Sequence, residues 1–163
     1  MIDINRERLS RLAAAILATV LIAASGWLFW DASERRDAEQ AGNDAVRAAR
    51  DSIVAILSYQ PATAERDLSA AARDRLTGKF LEDYTQVTTT VVVPNATQQG
   101  ITAAAQVPAA AVVSAHSDRV VVLAYVDQTT TVGKQAPLQA KSSVRVSMER
   151  VDGRWLIAGF EPI

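Results

Sequence analysis

The sequence predicts an α+β domain carried behind an N-terminal transmembrane helix. Three observations lead there. Leu12 to Trp30 is an uncharged apolar run, residues from Gly42 to about Val91 repeat their apolar positions with a helical period, and Ile101 to Phe160 alternates as strands do. Helices first and an antiparallel sheet afterwards is the order of an α+β domain with helices packed on one face of the sheet. The expected architecture is a cone-like domain of about three helices on a curved antiparallel sheet of four or so strands.

The apolar run, LAAAILATVLIAASGWLFW, follows Arg6, Arg8 and Arg11 and precedes Asp31, Glu34, Arg35 and Arg36. At about 1.5 Å of helical rise per residue it reaches roughly 28 Å, close to the hydrocarbon thickness of a bilayer. Leu12, Leu17 and Leu21 supply lipid-facing bulk, and Trp27 and Trp30 place indoles where the chain leaves the lipid. A cleaved secretory signal is the alternative, because Ala23, Ala24 and Ser25 are small residues of the kind a signal peptidase accepts. The run continues past them to Trp30, which favours a retained anchor. Basic residues on both sides nearly balance. A short cytoplasmic tail (1–11), a membrane helix (12–30), a stalk (31–41) and an extracytoplasmic domain (42–163) on the periplasmic side of the cell membrane is the expected layout.

Composition narrows the function. With 17 basic and 18 acidic residues, no basic field recruits nucleic acid. The absence of cysteine removes disulfides, thiolate metal sites and thiol nucleophiles together. About 130 residues beyond the anchor suffice for one domain.

Beyond Gly42, Val46, Ala49, Ile53, Ile56 and Leu57 mark an amphipathic helix that ends near Tyr59, ahead of Gln60-Pro61. Leu68, Ala72 and Leu76 stack on a second helix that breaks at Thr77-Gly78. Thr77 is placed to cap a third through its hydroxyl, with Phe80, Tyr84, Val87 and Val91 facing one core and Pro94-Asn95 ending the helix. The strands are Ile101 to Val107, Ala109 to Ala115, Arg119 to Val132, Ser143 to Val151 and Arg154 to Phe160. His116-Ser117-Asp118 and Asp152-Gly153 supply the turns, the latter a tight hairpin.

Val120 to Val126 is apolar on both faces. It is either a central strand covered on both sides, the reading favoured here, or it presents Val121, Leu123 and Tyr125 to a partner or ligand.

Four stretches carry a family likeness: Leu57-Ser58-Tyr59; Leu76-Thr77-Gly78-Lys79-Phe80 with Tyr84; Ala124-Tyr125-Val126-Asp127-Gln128-Thr129-Thr130-Thr131; and Met148-Glu149-Arg150-Val151-Asp152-Gly153-Arg154-Trp155-Leu156-Ile157. In this order behind an anchor, they resemble the Mce-associated membrane proteins of mycobacteria and related actinobacteria. The resemblance implies a cystatin-like or nuclear-transport-factor-like domain, similar to the periplasmic domain of a type IV secretion component. It implies an accessory role beside Mce transporter proteins that import fatty acids or sterols, and no catalytic residue, metal or cofactor. Self-association stays open.

Two residues invite chemistry. His116 is the single histidine and lies in a turn without the further ligands a metal requires. Asp127 shares a strand face with Tyr125, so the pair could serve as base and oxyanion donor in a cone-fold enzyme acting on an apolar substrate such as a sterol. No second acid accompanies them, and a solvated strand end is the better reading. The expectation is therefore a non-enzymatic accessory protein, with an enzyme or lipid-binding protein as alternative and a secretion-channel subunit as a weaker one.

Overall fold

A computed structural model describes residues 36–163. The anchor expected over residues 12–30, with Leu12, Leu17, Leu21, Trp27 and Trp30, lies outside the described residues. Among the described residues no helix is long and apolar enough to cross a membrane. Ala38–Ile163 forms one compact unit, the domain considered below.

Three helical segments pack on a four-stranded antiparallel sheet. The first, α1, spans residues 36–57 and buries Ala41, Ala45, Ala49, Ile53 and Ile56 along one stripe. The helix therefore begins earlier than Gly42 and runs through that residue, and the compact unit starts within the stretch expected as a stalk. Small residues at the start of the stripe let α1 approach the sheet closely. A Cβ on Gly42 would lie 3.2 Å from Val112 Cγ2 and 3.5 Å from Ala115 Cβ, so glycine here serves packing.

The second helix, α2 (Ala64–Arg75), carries Glu65 and Asp67 in its first turn and Arg73 and Arg75 in its last, each sign complementing the helix dipole. Leu68, Ala71 and Ala72 are buried, and Leu76 then turns extended and bridges to Ile157.

The third segment is a continuous rod. It comprises α3 (Gly78–Val87), a π-helical turn (Thr88–Val92) and α4 (Val93–Gln99), closed by Gly100 in the left-handed conformation at φ 66°. Three expectations fail here. The Thr77 hydroxyl makes no capping bond; instead the Thr77 N–H is committed to the Ile157 carbonyl at 2.9 Å. Val87 and Val91 are about half exposed, at 53% and 52%, and do not face the core with Phe80 and Tyr84. Pro94 does not end the helix but sits in the first turn of α4, where a missing N–H is tolerated.

One cause links the last two. The inward stripe is Phe80, Tyr84, Thr88, Val92 and Ala96, spaced by four. An α-helix rotates such a stripe by about 40° per step. The wider π turn takes back part of that drift and keeps the stripe on the core.

The sheet order is β1-β2-β3-β4, with β1 (Ile101–Ala115), β2 (Arg119–Val132), β3 (Leu138–Val151) and β4 (Arg154–Pro162). The two strands expected between Ile101 and Ala115 are one, bent by register shifts between Gln106 and Ala109 and between Val112 and Ser114. Such bulges bend a strand without ending its pairing. His116-Ser117-Asp118 forms the β1–β2 turn, and the β3–β4 hairpin turns through Asp152 at φ 49° and Gly153 at φ 78°. Two successive positive φ values suit the twist of the flanking strands.

Val120, Val122, Ala124 and Val126 of β2 join Val144, Val146 and Met148 of β3 and Ile157 of β4 against the α1 stripe. At the other margin Phe80 stacks on Phe160, with ring centroids 6.1 Å apart.

The outer edge of β1 is closed near its start. Tyr59 and Ala103 exchange backbone hydrogen bonds of 2.9 and 3.0 Å, the Ala105 N–H donates to Ser58 Oγ at 2.9 Å, and Arg50 donates to the Val107 carbonyl at 3.0 Å. Pro108 and the two bulges follow, features that discourage pairing with another strand.

Candidate functional site: the open face of the sheet

Helices cover one face of the sheet, and alternation along β2 decides what the other presents. Val120, Val122, Ala124 and Val126 are fully buried on the helix side. Their alternates are not: Val121 and Leu123 are half-buried and Tyr125 is 52% exposed. Coverage of this strand on both faces, favoured from the sequence, is therefore corrected. The helices span only one side because each lends a single apolar stripe.

Cross-strand register assembles the open face around these three residues. Ala109 and Ala111 of β1 stand opposite Tyr125 and Leu123, with Ser114 opposite Val121. On β3 the partners of Val121, Leu123 and Tyr125 are Ser147, Arg145 and Ser143. Glu161 of β4 follows beside Arg145, their charged atoms 4.0 Å apart. A column of apolar side chains thus has alanines on one flank and small polar or charged groups on the other. Sequence reading found the column but not its flanks, because only register between strands distant in sequence brings Arg145, Glu161 and Lys141 to it.

Tyr125 and Asp127 do share this face. Asp127 pairs with Lys141 on β3 at 4.0 Å, and both side chains reach solvent. An open groove of about 750 Å³ runs past Pro108, Ala109, Tyr125, Asp127, Lys141, Ser142, Ser143 and Ile163. Beside it a polar hollow of about 260 Å³ is lined by Gln106, Asp127, Gln128, Thr129, Gln139 and Lys141 among others. Neither encloses Asp127 away from water, the condition under which a carboxylate becomes a competent base at neutral pH.

The remaining polar groups serve the fold. Tyr84 donates to the Ile56 carbonyl at 2.8 Å, and burial, helped by nearby Tyr59, pushes its phenol up to about 12 against the opposing hydrogen bond from Thr88. Burial likewise raises Tyr59. A narrow crevice of about 150 Å³ between α2 and the rod is lined chiefly by Leu68, Ala72, Tyr84 and Thr88. His116 lies in its turn, its backbone N–H bonded to the Arg119 carbonyl at 2.8 Å. Among the described residues no cluster of His, Cys, Asp or Glu could hold a metal ion.

With this geometry in view, comparison with known proteins places the chain. The profile of the family described as uncharacterized protein Rv1363c/MT1408-like matches residues 7–158. The chain belongs to this family. A relative from Mycobacterium tuberculosis, called outer membrane protein Rv1973, is 53% identical over 147 residues, covering 90% of this chain and 91% of that one.

Among solved structures, an IcmL-like type IV secretion system protein from Legionella pneumophila superposes with a TM-score of 0.61 at 8% identity, over 72% of this chain and 90% of that one. The VirB8 protein of Agrobacterium tumefaciens gives 0.56 at 12% identity, over 72% and 88%. A putative aromatic ring hydroxylase from Novosphingobium aromaticivorans gives 0.54 at 15%, over 74% and 87%. At such identities the likeness is one of fold. The expected cone-like α+β architecture is the observed one, and the same frame serves unlike tasks.

Proposed function

We propose that the protein is a non-enzymatic accessory component of the cell envelope, held at the membrane by its N-terminal segment and contacting other proteins through the open face of its sheet. The observation that carries this reading is the uncovered column Val121, Leu123 and Tyr125, since contiguous apolar surface left by a domain's own helices marks a contact surface. The name of the Rv1973 relative supports an envelope location. At the finer level, the family likeness read from the sequence supports service to an Mce-type lipid importer, with the domain stabilising the transporter. Restriction to the membrane plane raises local concentration, so modest contacts suffice.

The test is deletion of the gene, followed by measurement of Mce protein levels and of fatty acid and sterol uptake. Reduced levels and uptake support the role, and unchanged values in both count against it. A second reading, a subunit of a secretion-type assembly, is favoured by the fold shared with the IcmL-like protein and VirB8. It predicts loss of a secreted protein in the same deletion strain with lipid uptake intact. An enzyme using Asp127 as base draws less support, because that carboxylate faces solvent and Lys141.

A further inference from the structure

The charges on the open face are arranged antisymmetrically about Leu123. Four residues before it on β2 stands Arg119, paired across to Glu149 on β3; four residues after it stands Asp127, paired across to Lys141. Signs are thus reversed between the two ends on both strands. With the Arg145 and Glu161 pair at the middle, these three cross-strand pairs hold three positive and three negative groups.

We propose that a second copy of this chain docks face to face on this sheet, related by a twofold axis through Leu123 and perpendicular to the strands. This rests on the reading of the open face as a protein contact surface and names its partner. The rotation reverses strand direction while keeping β2 over β2 and β3 over β3. Arg119 then meets the other copy's Asp127, and Glu149 meets its Lys141, so all four end contacts are opposite in sign. Leu123 packs near its own counterpart, flanked by Val121 and Tyr125. The middle pair lies on the axis, where each Arg145 faces its own counterpart and is neutralised by the Glu161 beside it in the same copy.

The balanced signs of these pairs do not favour a strongly acidic or basic partner, whereas a twofold copy answers all four end charges of β2 and β3. Four strands at about 4.8 Å spacing and about nine residues of length give a footprint of roughly 20 by 30 Å, or about 600 Å² per copy. The pair would bury about 1,200 Å², the lower limit of specific interfaces. Such a contact is weak in solution and strengthened by confinement to a membrane.

The chain has no cysteine, so introduced thiols report cleanly. Full-length Arg119→Cys and Asp127→Cys variants are purified in mild detergent and treated with a bismaleimide whose spacer of about 8–10 Å bridges facing sheets about 10 Å apart, each alone and as an equimolar mixture; both sites lie on the open face, away from the core. In the proposed pair, the thiol introduced at position 119 of one copy lies over the thiol introduced at position 127 of the other, while like positions are roughly 26 Å apart. Cross-linked dimers are expected at least several-fold more abundant in the mixture than in either variant alone. Equal yields in all three samples, or none in the mixture, overturn the proposal.

A photoreactive residue at Tyr125 in native membranes separates this failure from that of the parent reading. An adduct of twice the chain mass is expected. Adducts only with a different protein overturn the self-pairing and leave the contact surface standing, and no adduct removes both.

Discussion

The Tyr84 hydroxyl donates a 2.8 Å hydrogen bond to the Ile56 carbonyl, joining the helical rod to the last turn of α1. The bond satisfies one of the carbonyls that a helix C-terminus leaves without an intrahelical partner. Tyr84→Phe keeps the ring against Phe80 and loses this bond, and is expected to lower unfolding free energy by about 1 kcal/mol in a denaturant titration.

The same phenol sets an alkaline limit. Its folded pKa is raised from 10.0 to about 12, so the folded protein holds the proton more tightly than the unfolded chain. Its contribution to stability is complete below pH 10 and is lost as pH rises through about 12. Urea midpoints measured from pH 8 to 12 are expected to fall chiefly above pH 10, and to fall less steeply in Tyr84→Phe.

Gly42 tests the close approach of α1 to β1. Gly42→Ala places its Cβ 3.2 Å from Val112 Cγ2, at the end of a partly exposed side chain that can give way. Stability within about 1 kcal/mol of the parent is expected, because improved helix propensity offsets the tight contact. Gly42→Leu has no such outlet and is expected to cost roughly 1–3 kcal/mol in thermal unfolding.

Met148 is fully buried between the sheet and α1. Met148→Ala leaves a cavity and is expected to cost about 2–5 kcal/mol. Val113→Thr, at a bulge and 60% exposed, is expected to change stability by less than about 0.5 kcal/mol. Paired denaturant curves check both.

Asp127 and Lys141 approach only to 4.0 Å, and both reach solvent. Asp127→Asn is expected to leave the thermal midpoint unchanged within measurement, since exposed pairs are worth about 0–1 kcal/mol and are screened by salt.

Local chemistry made much of the fold legible. Ser143 to Val151 alternates cleanly, and Asp152-Gly153 names its own turn, so that hairpin followed from sequence. The rod did not, because Val87 and Val91 fit an ideal helical stripe and only a π turn, which no residue there announces, puts Thr88 and Val92 inward instead. Pro94 read as a stop because its tolerated place in a new first turn depends on that same irregularity. At the candidate site, the column on β2 was visible as an apolar run. The number of its covered faces was not, because that depends on how many apolar stripes the helices bring and where they land.

The central claim is that this domain works by contacting other envelope proteins. Affinity purification of the full chain from native membranes in mild detergent, with partners identified by mass spectrometry, tests it most directly. The account predicts recovery from the membrane fraction together with lipid-transporter proteins. Recovery of the mature chain from the soluble fraction, without companions, would contradict it.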